Sequence, residues 1–172
     1  MLENLVIGVI SGFIASMLFV LFLYRLRPKI LISSEIAKEL QSNGQFFYTF
    51  KIVNETPYPV IDFKLELIIL TPTNLPNGTG SHAKIISSLE RFELESGKNP
   101  SPDFDNELFF TFPAALEDVW DDTSQQLLLV VIAKHSLSQF SRVTKQRFFR
   151  RDASIKVGRF PTGESLYVVA NG

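Results

Sequence analysis

The side chains with chemical potential in this chain are mostly cations, and they are unevenly placed. Lys134 to Arg159 holds eight basic residues (Lys134, Arg142, Lys145, Arg147, Arg150, Arg151, Lys156, Arg159) and one acid, Asp152. Glu90 to Asp122 is the reverse, with ten acids (Glu90, Glu93, Glu95, Asp103, Asp105, Glu107, Glu117, Asp118, Asp121, Asp122) against Arg91 and Lys98. A guanidinium presents a fixed fork of donors that suits phosphate and carboxylate. Arg142, Lys145, Arg147, Arg150 and Arg151 are therefore the residues expected to meet an anion: a nucleotide, a lipid headgroup, or the acidic segment of a second copy. Pairing of the two segments within one fold is the competing expectation. Arg147-Phe148-Phe149-Arg150-Arg151 mixes cations and aromatic rings as single-strand nucleic-acid binders do. With a net charge of -1 and no known motif, duplex nucleic acid is not an expected partner.

Catalytic constellations are missing. His82 and His135 stand far apart with no metal-ligand spacing, and each reads as an ordinary loop or strand-end residue. Asp103/Asp105 and Asp121-Asp122 lack the spacing of a calcium loop. No glycine-rich phosphate loop or nucleophile elbow occurs. Cysteine is absent, which removes disulfides, thiolate zinc sites and thiol nucleophiles. The expectation is a protein without enzymatic activity, cofactor or metal.

The elements that must position these charges begin with a membrane anchor. Leu5 to Tyr24 carries no charge and no proline, and Arg25-Leu26-Arg27-Pro28-Lys29 follows at once. An apolar run of about 20 residues spans the bilayer core as a helix. A cleaved signal peptide would have a basic start and small residues at its far end; here the start is Met1-Leu2-Glu3-Asn4 and the end Phe22-Leu23-Tyr24-Arg25. The predicted division is a transmembrane helix over 4–25, a basic juxtamembrane linker over 26–30, and a cytosolic domain over 31–172. Arg25, Arg27 and Lys29 place that domain in the cytoplasm by the positive-inside rule. Both glycosylation triplets, Asn54-Glu55-Thr56 and Asn77-Gly78-Thr79, are idle in that compartment. Within the helix, Gly8, Gly12 and Ser16 recur every four residues on one face. Small residues at that spacing let two helices approach closely in lipid, so they are the expected helix–helix contact of a homo-oligomer.

Beyond the linker the pattern reads as strands. Val60 to Leu70 alternates, with Ile61, Phe63, Leu65, Leu67 and Ile69 on one face and Asp62, Lys64 and Glu66 on the other. Further strands are expected at Lys29–Ser33, Phe46–Val53 after the turn Ser42-Asn43-Gly44, Glu107–Phe112, Leu127–Ala133, Ser141–Phe149, Ala153–Phe160 and Ser165–Ala170. Lys84–Glu95 supplies one or two more. Loops are expected from Pro72 through Asn77-Gly78 and over Lys98–Asp105, and a short helical turn at Ala114–Asp121 behind Pro113. Many short strands at regular spacing predict a mainly β chain: one transmembrane helix followed by an immunoglobulin-like β-sandwich.

Several of these segments resemble inward-rectifier potassium channels. Arg27-Pro28-Lys29 before Ile30-Leu31-Ile32-Ser33 is similar to the junction between their inner helix and cytoplasmic domain. Phe50-Lys51-Ile52-Val53-Asn54 with Val60-Ile61-Asp62-Phe63-Lys64-Leu65 resembles paired strands of that domain. Phe112-Pro113 to Asp122 with Gln126–Ala133 resembles its short turn and core strand, and Arg142-Val143 through Gln146-Arg147-Phe148-Phe149 with Ile155–Phe160 its closing pair. The resemblance implies an immunoglobulin-like sandwich that assembles as a ring, and an anionic-lipid-contacting role for Arg27 and Lys29, to which the adjacent Arg25 is added as an expected contact. The chain departs from that family in having no first membrane helix, pore helix or selectivity filter, so potassium conduction is not expected of it. Its layout also resembles small membrane effectors of bacterial antiviral nucleotide signalling. The resulting expectation is a self-assembling anchored domain that couples a ligand, lipid or partner signal to a membrane assembly, which includes a pore. A membrane adaptor that tethers a protein partner is the alternative.

Overall fold

The computed structural model describes residues 2–40, 44–94, 106–121, 123–163 and 165–170. Ser42 and Asn43 of the predicted turn, the loop predicted over Lys98–Asp105, and Glu95 and Asp122 fall outside them. In chain order the elements are α1 (Leu2–Arg25), β1 (Ile30–Ile32), β2 (Ile36–Leu40), β3 (Phe46–Asn54), β4 (Val60–Leu75), β5 (Gly78–Leu94), β6 (Glu107–Phe112), α2 (Leu116–Val119), β7 (Gln126–His135), β8 (Ser141–Phe148), α3 (Arg151–Ser154) and β9 (Ile155–Val157). The fold class is the expected one: mainly β, an apolar N-terminal helix followed by a two-sheet sandwich.

Helix α1 has 24 residues, so its rise of ~1.5 Å per residue gives about 36 Å. Its mean hydropathy of 2.6 makes it long and apolar enough to cross a bilayer. In the first sheet, β3 is central. β6 pairs along one edge, while β1 and β2 lie end to end along the other, interrupted at Ser33–Glu35. β9 then joins β2 in parallel. The second sheet runs β5-β4-β7-β8, all antiparallel.

Burial of the inward faces holds the sheets together. Phe50 and Ile52 on β3 meet Phe63, Leu65 and Leu67 on β4, Leu129 and Val131 on β7, and Phe148 on β8. Phe50 stacks edge-on against Phe148 at 5.8 Å and lies tilted against Phe110 at 5.9 Å. Such contacts add to the burial of the rings themselves.

Several expectations need correction. Pro72 to Gly78 is not a loop: β4 and β5 continue as a two-stranded ribbon turning only at Pro76-Asn77. Beyond Leu70 the ribbon has lost β7, so both its faces meet solvent and no apolar alternation marks it. Pro72 is tolerated there because one edge of β4 is unpaired. Of the one or two strands expected over Lys84–Glu95, the described part, Lys84–Leu94, lies in one long strand, β5. Ile61 does not share the face of Phe63; Asp62 takes a positive φ of 49° and the register shifts between Ile61 and Lys64. Ala153–Phe160 splits into α3 and the three-residue β9. Ser165–Ala170 forms no strand, only a bridge between Val169 and Arg159. β2 was not anticipated, since Ala37, Lys38 and Glu39 are helix formers; pairing with β3 and β9 overrides that preference.

Candidate functional site

The strand ends Val60, His135 and Ser141 converge at one end of the second sheet, and the exit of α1 is fastened there. Leu26, Pro28 and Lys29 are each held by a different element. Ser138, in the β7–β8 turn, donates its hydroxyl to the Leu26 carbonyl at 2.7 Å. Arg142, at the start of β8, donates to the Pro28 carbonyl at 3.3 Å. The Lys29 amide donates to Thr56 Oγ1 at 2.8 Å, and the Glu55 amide donates back to the Lys29 carbonyl at 2.8 Å. Pro28 and Ile30 are buried. The helix therefore does not hang from a free tether; the residues just after it are fixed to the sandwich by four hydrogen bonds to their main-chain atoms, three of them made by side chains of the sandwich.

Two buried polar side chains shape the receiving surface. Asn54 is fully buried, accepts the Thr56 amide at 2.9 Å and donates to the Tyr58 carbonyl at 3.4 Å. The triplet Asn54-Glu55-Thr56 is thus a structural turn, and its Asn is closed to a glycan. Asn77 of the other triplet sits at the exposed ribbon tip. His135 is also fully buried. Its Nδ1 accepts the amides of Leu137 and Ser138 at 3.1 and 3.2 Å, which puts its proton on Nε2. Nε2 has no partner. Burial holds the imidazole below its ordinary pKa, favouring the neutral form that this acceptor role needs.

The predicted lipid contacts lie around this junction. Arg25 and Arg27 are exposed. Arg27 rests its guanidinium 3.4 Å from the Tyr24 ring centroid and 5.9 Å from that of Phe140, a cation–π arrangement that orients the charge at the helix end. Lys29 is exposed but ion-paired to Glu55. Arg142 comes to the same place, so the junction gathers four cations drawn from both ends of the sequence.

The other cations of the predicted anion site are not with it. β8 runs from Ser141 opposite Lys134 to Phe148 opposite Leu127, a distance of about 23 Å at ~3.3 Å per residue. Lys145 and Arg147 face outward from the second sheet, opposite Val130 and Leu128. Arg150 pairs with Asp152 at 2.7 Å. Arg151 donates to the Glu117 carbonyl at 3.1 Å and reinforces the lowered pKa of Asp121, which is set first by hydrogen bonds from Ser124 and Thr123. Arg142, Lys145, Arg147, Arg150 and Arg151 thus form three groups and not one pocket. Gly8, Gly12 and Ser16 share an exposed face of α1, with Ser16 Oγ donating to the Gly12 carbonyl at 2.8 Å.

The opposite end of the sandwich is closed differently. Leu116 on α2 and Trp120 just after it are fully buried. Beside them, Lys38 donates to Glu117 at 2.6 Å and the Tyr48 hydroxyl donates to the same carboxylate. Burial first, then the Glu117 hydrogen bond, pushes the Tyr48 phenol up to about 12, so it stays a donor. Burial alone would raise Glu117, but the hydrogen bonds from Lys38 and Tyr48 outweigh it and hold the carboxyl below its usual value.

A third polar cluster lies on the outer face of the first sheet. Lys51 on β3 is fully buried, 3.0 Å from Glu107 on β6. It donates to the Pro161 carbonyl at 2.6 Å and to that of Gly163, while Glu107 accepts the Gly163 amide. Ser33 donates to the Leu166 carbonyl at 2.7 Å, and Glu35 accepts the Val168 amide at 2.7 Å. Residues 160–163 and 165–168 thereby cover part of that face. Sequence reasoning did not single out Thr56, Ser138 or Lys51; the one available signal was a lone cation inside the apolar run Phe50–Val53. No group of three or more potential metal ligands occurs among the described residues.

No family profile matches the chain, and no curated protein matches it. Among solved structures, the fold is similar to that of the sporulation control protein Spo0M from Bacillus subtilis, at 13% identity and a TM-score of 0.43. That likeness covers 71% of this chain and 48% of the other, so the chain spans about half the length of Spo0M.

Proposed function

We propose that this is a single-pass membrane protein whose cytoplasmic β-sandwich self-assembles and passes a lipid, ligand or partner signal to the anchor, working without enzymatic chemistry. The fastened helix exit carries this reading. A domain that only needed tethering would tolerate a flexible linker. Here Leu26, Pro28 and Lys29 are each bonded to the sandwich, so a displacement of the β7–β8 turn moves the end of the helix.

Anionic headgroups are the signal this junction suits best. Arg25 and Arg27 stand exposed at the helix end, with Lys29 and Arg142 beside them. Each cation near an anionic surface contributes about 1 kcal/mol. The resemblance at Arg27-Pro28-Lys29 supports the same role. Gly8, Gly12 and Ser16 offer the helix–helix contact through which anchors would associate.

The test is reconstitution of the full chain in vesicles with and without anionic lipid, followed by chemical crosslinking. Oligomer yield should rise with anionic lipid, and Arg27→Gln/Arg142→Gln should remove the rise. Equal yields in both vesicles would overturn the lipid reading, and a protein copurifying at fixed ratio would then favour the adaptor. A cytoplasm-dependent reporter fused after Gly172 should be active; activity only from a reporter that works outside would overturn the sidedness.

A further inference from the structure

The β7–β8 turn is tightly built, yet it holds a leucine out of the fold. The Gln139 amide donates to the His135 carbonyl at 3.0 Å, and the His135 amide donates to the Phe140 carbonyl at 2.9 Å. His135 Nδ1 accepts the amides of Leu137 and Ser138. The Ser136 amide donates to the Pro59 carbonyl at 3.3 Å, which joins this turn to the β3–β4 loop. Leu137 is nevertheless 59% exposed. Tyr58 of the adjoining loop sets its ring edge-on to His135 at 5.5 Å and is 44% exposed. The only charge in residues 55–59 and 136–140 is Glu55, which Lys29 pairs.

Single exposed apolar residues are common on protein surfaces, so exposure alone decides nothing here. Height above the anchor does. As a helix, Leu5 to Tyr24 covers about 30 Å, the thickness of the hydrocarbon core. Leu26 then lies about 3 Å beyond the core, inside a headgroup layer roughly 5–7 Å deep. The Ser138 hydroxyl is 2.7 Å from the Leu26 carbonyl, so the turn stands in that layer too. Glu3 to Phe22 are exposed, and Leu23 is the first half-buried residue of α1. The sandwich therefore leaves the helix free for lipid up to the level of the turn.

We propose that the β7–β8 turn is a second, non-spanning membrane contact, in which Leu137 and Tyr58 enter the boundary between headgroups and acyl chains beside the anchor. This rests on the anchored reading above and adds a contact that does not depend on lipid charge. The leucine supplies apolar area at the depth where interfacial segments bury theirs. The tyrosine suits the same boundary, with an apolar ring and a polar tip. His135 is a positioning residue, because the two amides it accepts fix the backbone that presents Leu137. Attachment through Leu26 to Lys29 alone would let the sandwich pivot about the end of α1. A second contact beside it removes the pivot.

The chain has no cysteine, so single nitroxide labels report cleanly. Full-length protein is labelled at Leu137→Cys, Tyr58→Cys, Leu18→Cys in the anchor, or Leu75→Cys at the far ribbon tip, which is 58% exposed. Each is reconstituted in phosphatidylcholine vesicles, and collisions with oxygen are compared with those of a water-soluble nickel chelate. The oxygen-to-nickel ratio at Leu137 and Tyr58 should lie between those of Leu18 and Leu75, several-fold above Leu75. Adding anionic phosphatidylglycerol should leave it unchanged. With the label at Tyr58, Leu137→Asp should lower the ratio to that of Leu75, while Leu137→Ile should keep it. An aqueous ratio at both turn positions with Leu18 in lipid would overturn the inference and leave the anchor intact. An aqueous Leu18 would overturn both. Insertion in anionic vesicles only would assign the contact to the cations and overturn it, as would a Tyr58 label indifferent to Leu137→Asp.

Discussion

The two ends of the sandwich solve one problem with different chemistry. Each must close the gap between the sheets where the strands stop. The end away from the helix is plugged by bulk, with Leu116 and Trp120 fully buried and a Lys38–Glu117–Tyr48 cluster at the rim. The end that receives the helix is closed by directional bonds: Ser138 to Leu26, Thr56 with Lys29, Arg142 to Pro28, and the imidazole of His135 organising the turn that carries Ser138. Apolar packing excludes water without fixing a direction, whereas hydrogen bonds specify position at a modest net gain. A joint that transmits displacement needs the second kind.

The largest effect is expected at the plug. Trp120→Ala should destabilise the domain by about 3–5 kcal/mol in chemical denaturation followed by circular dichroism. A loss below ~1 kcal/mol would break the contrast, because the plug would then not be the stronger closure. At the joint, Thr56→Val leaves the part-buried Lys29 amide without its acceptor and should cost about 1–3 kcal/mol. Hydrogen exchange should quicken at Lys29 while the amides around Trp120 stay protected; equal loosening at both ends would show that they are not separable.

Acid should separate the ends further. The pKa of His135 is depressed in the folded state, so its contribution is full above the unfolded value of about 6.5 and is lost as pH falls toward the folded value. Glu117 is also depressed, from 4.5, so its contribution persists until pH falls below that range. Amides of residues 136–140 should therefore lose protection in milder acid than those of 116–120, and His135→Gln should remove the earlier step. Simultaneous loss would contradict the assignment. The smallest effect is expected for Ser138→Ala, about 0.5–1.5 kcal/mol. Its consequence should show in the mobility of a spin label at Leu26 more than in stability. An unchanged label would mean that the bond does not hold the helix.

What the residues disclosed in advance follows the reach of each interaction. The uncharged run from Leu5 to Tyr24 and the alternation from Phe63 to Ile69 are local and appear where expected. The positive φ at Asp62 breaks that alternation; aspartate is one of the few residues that visits this region, but here it reads as an ordinary polar member of the alternating pattern. β2 and β9 were illegible because each is fixed by strands far away in sequence. The site divides the same way. Arg25, Arg27 and Lys29 are visible as a cluster, but Thr56 lies 27 residues from Lys29 and Ser138 lies 112 from Leu26. No spacing rule reaches that far. The basic run misled for the complementary reason: neighbours along β8 point to opposite faces and reach opposite ends, so Arg142 and Arg151 share a composition but not a place.

The covering of Lys51 sets an order of events during synthesis. Helix α1 is made before the strands that follow it, and β3 with its cation comes next. The carbonyls of Pro161 and Gly163 that accept from Lys51 are made more than a hundred residues later, as is the Val168 amide that reaches Glu35. Until they emerge from the ribosome, the first sheet lacks β9 and carries a lysine with no finished shelter. One layer of the domain therefore stays open until residues 155–168 have been made.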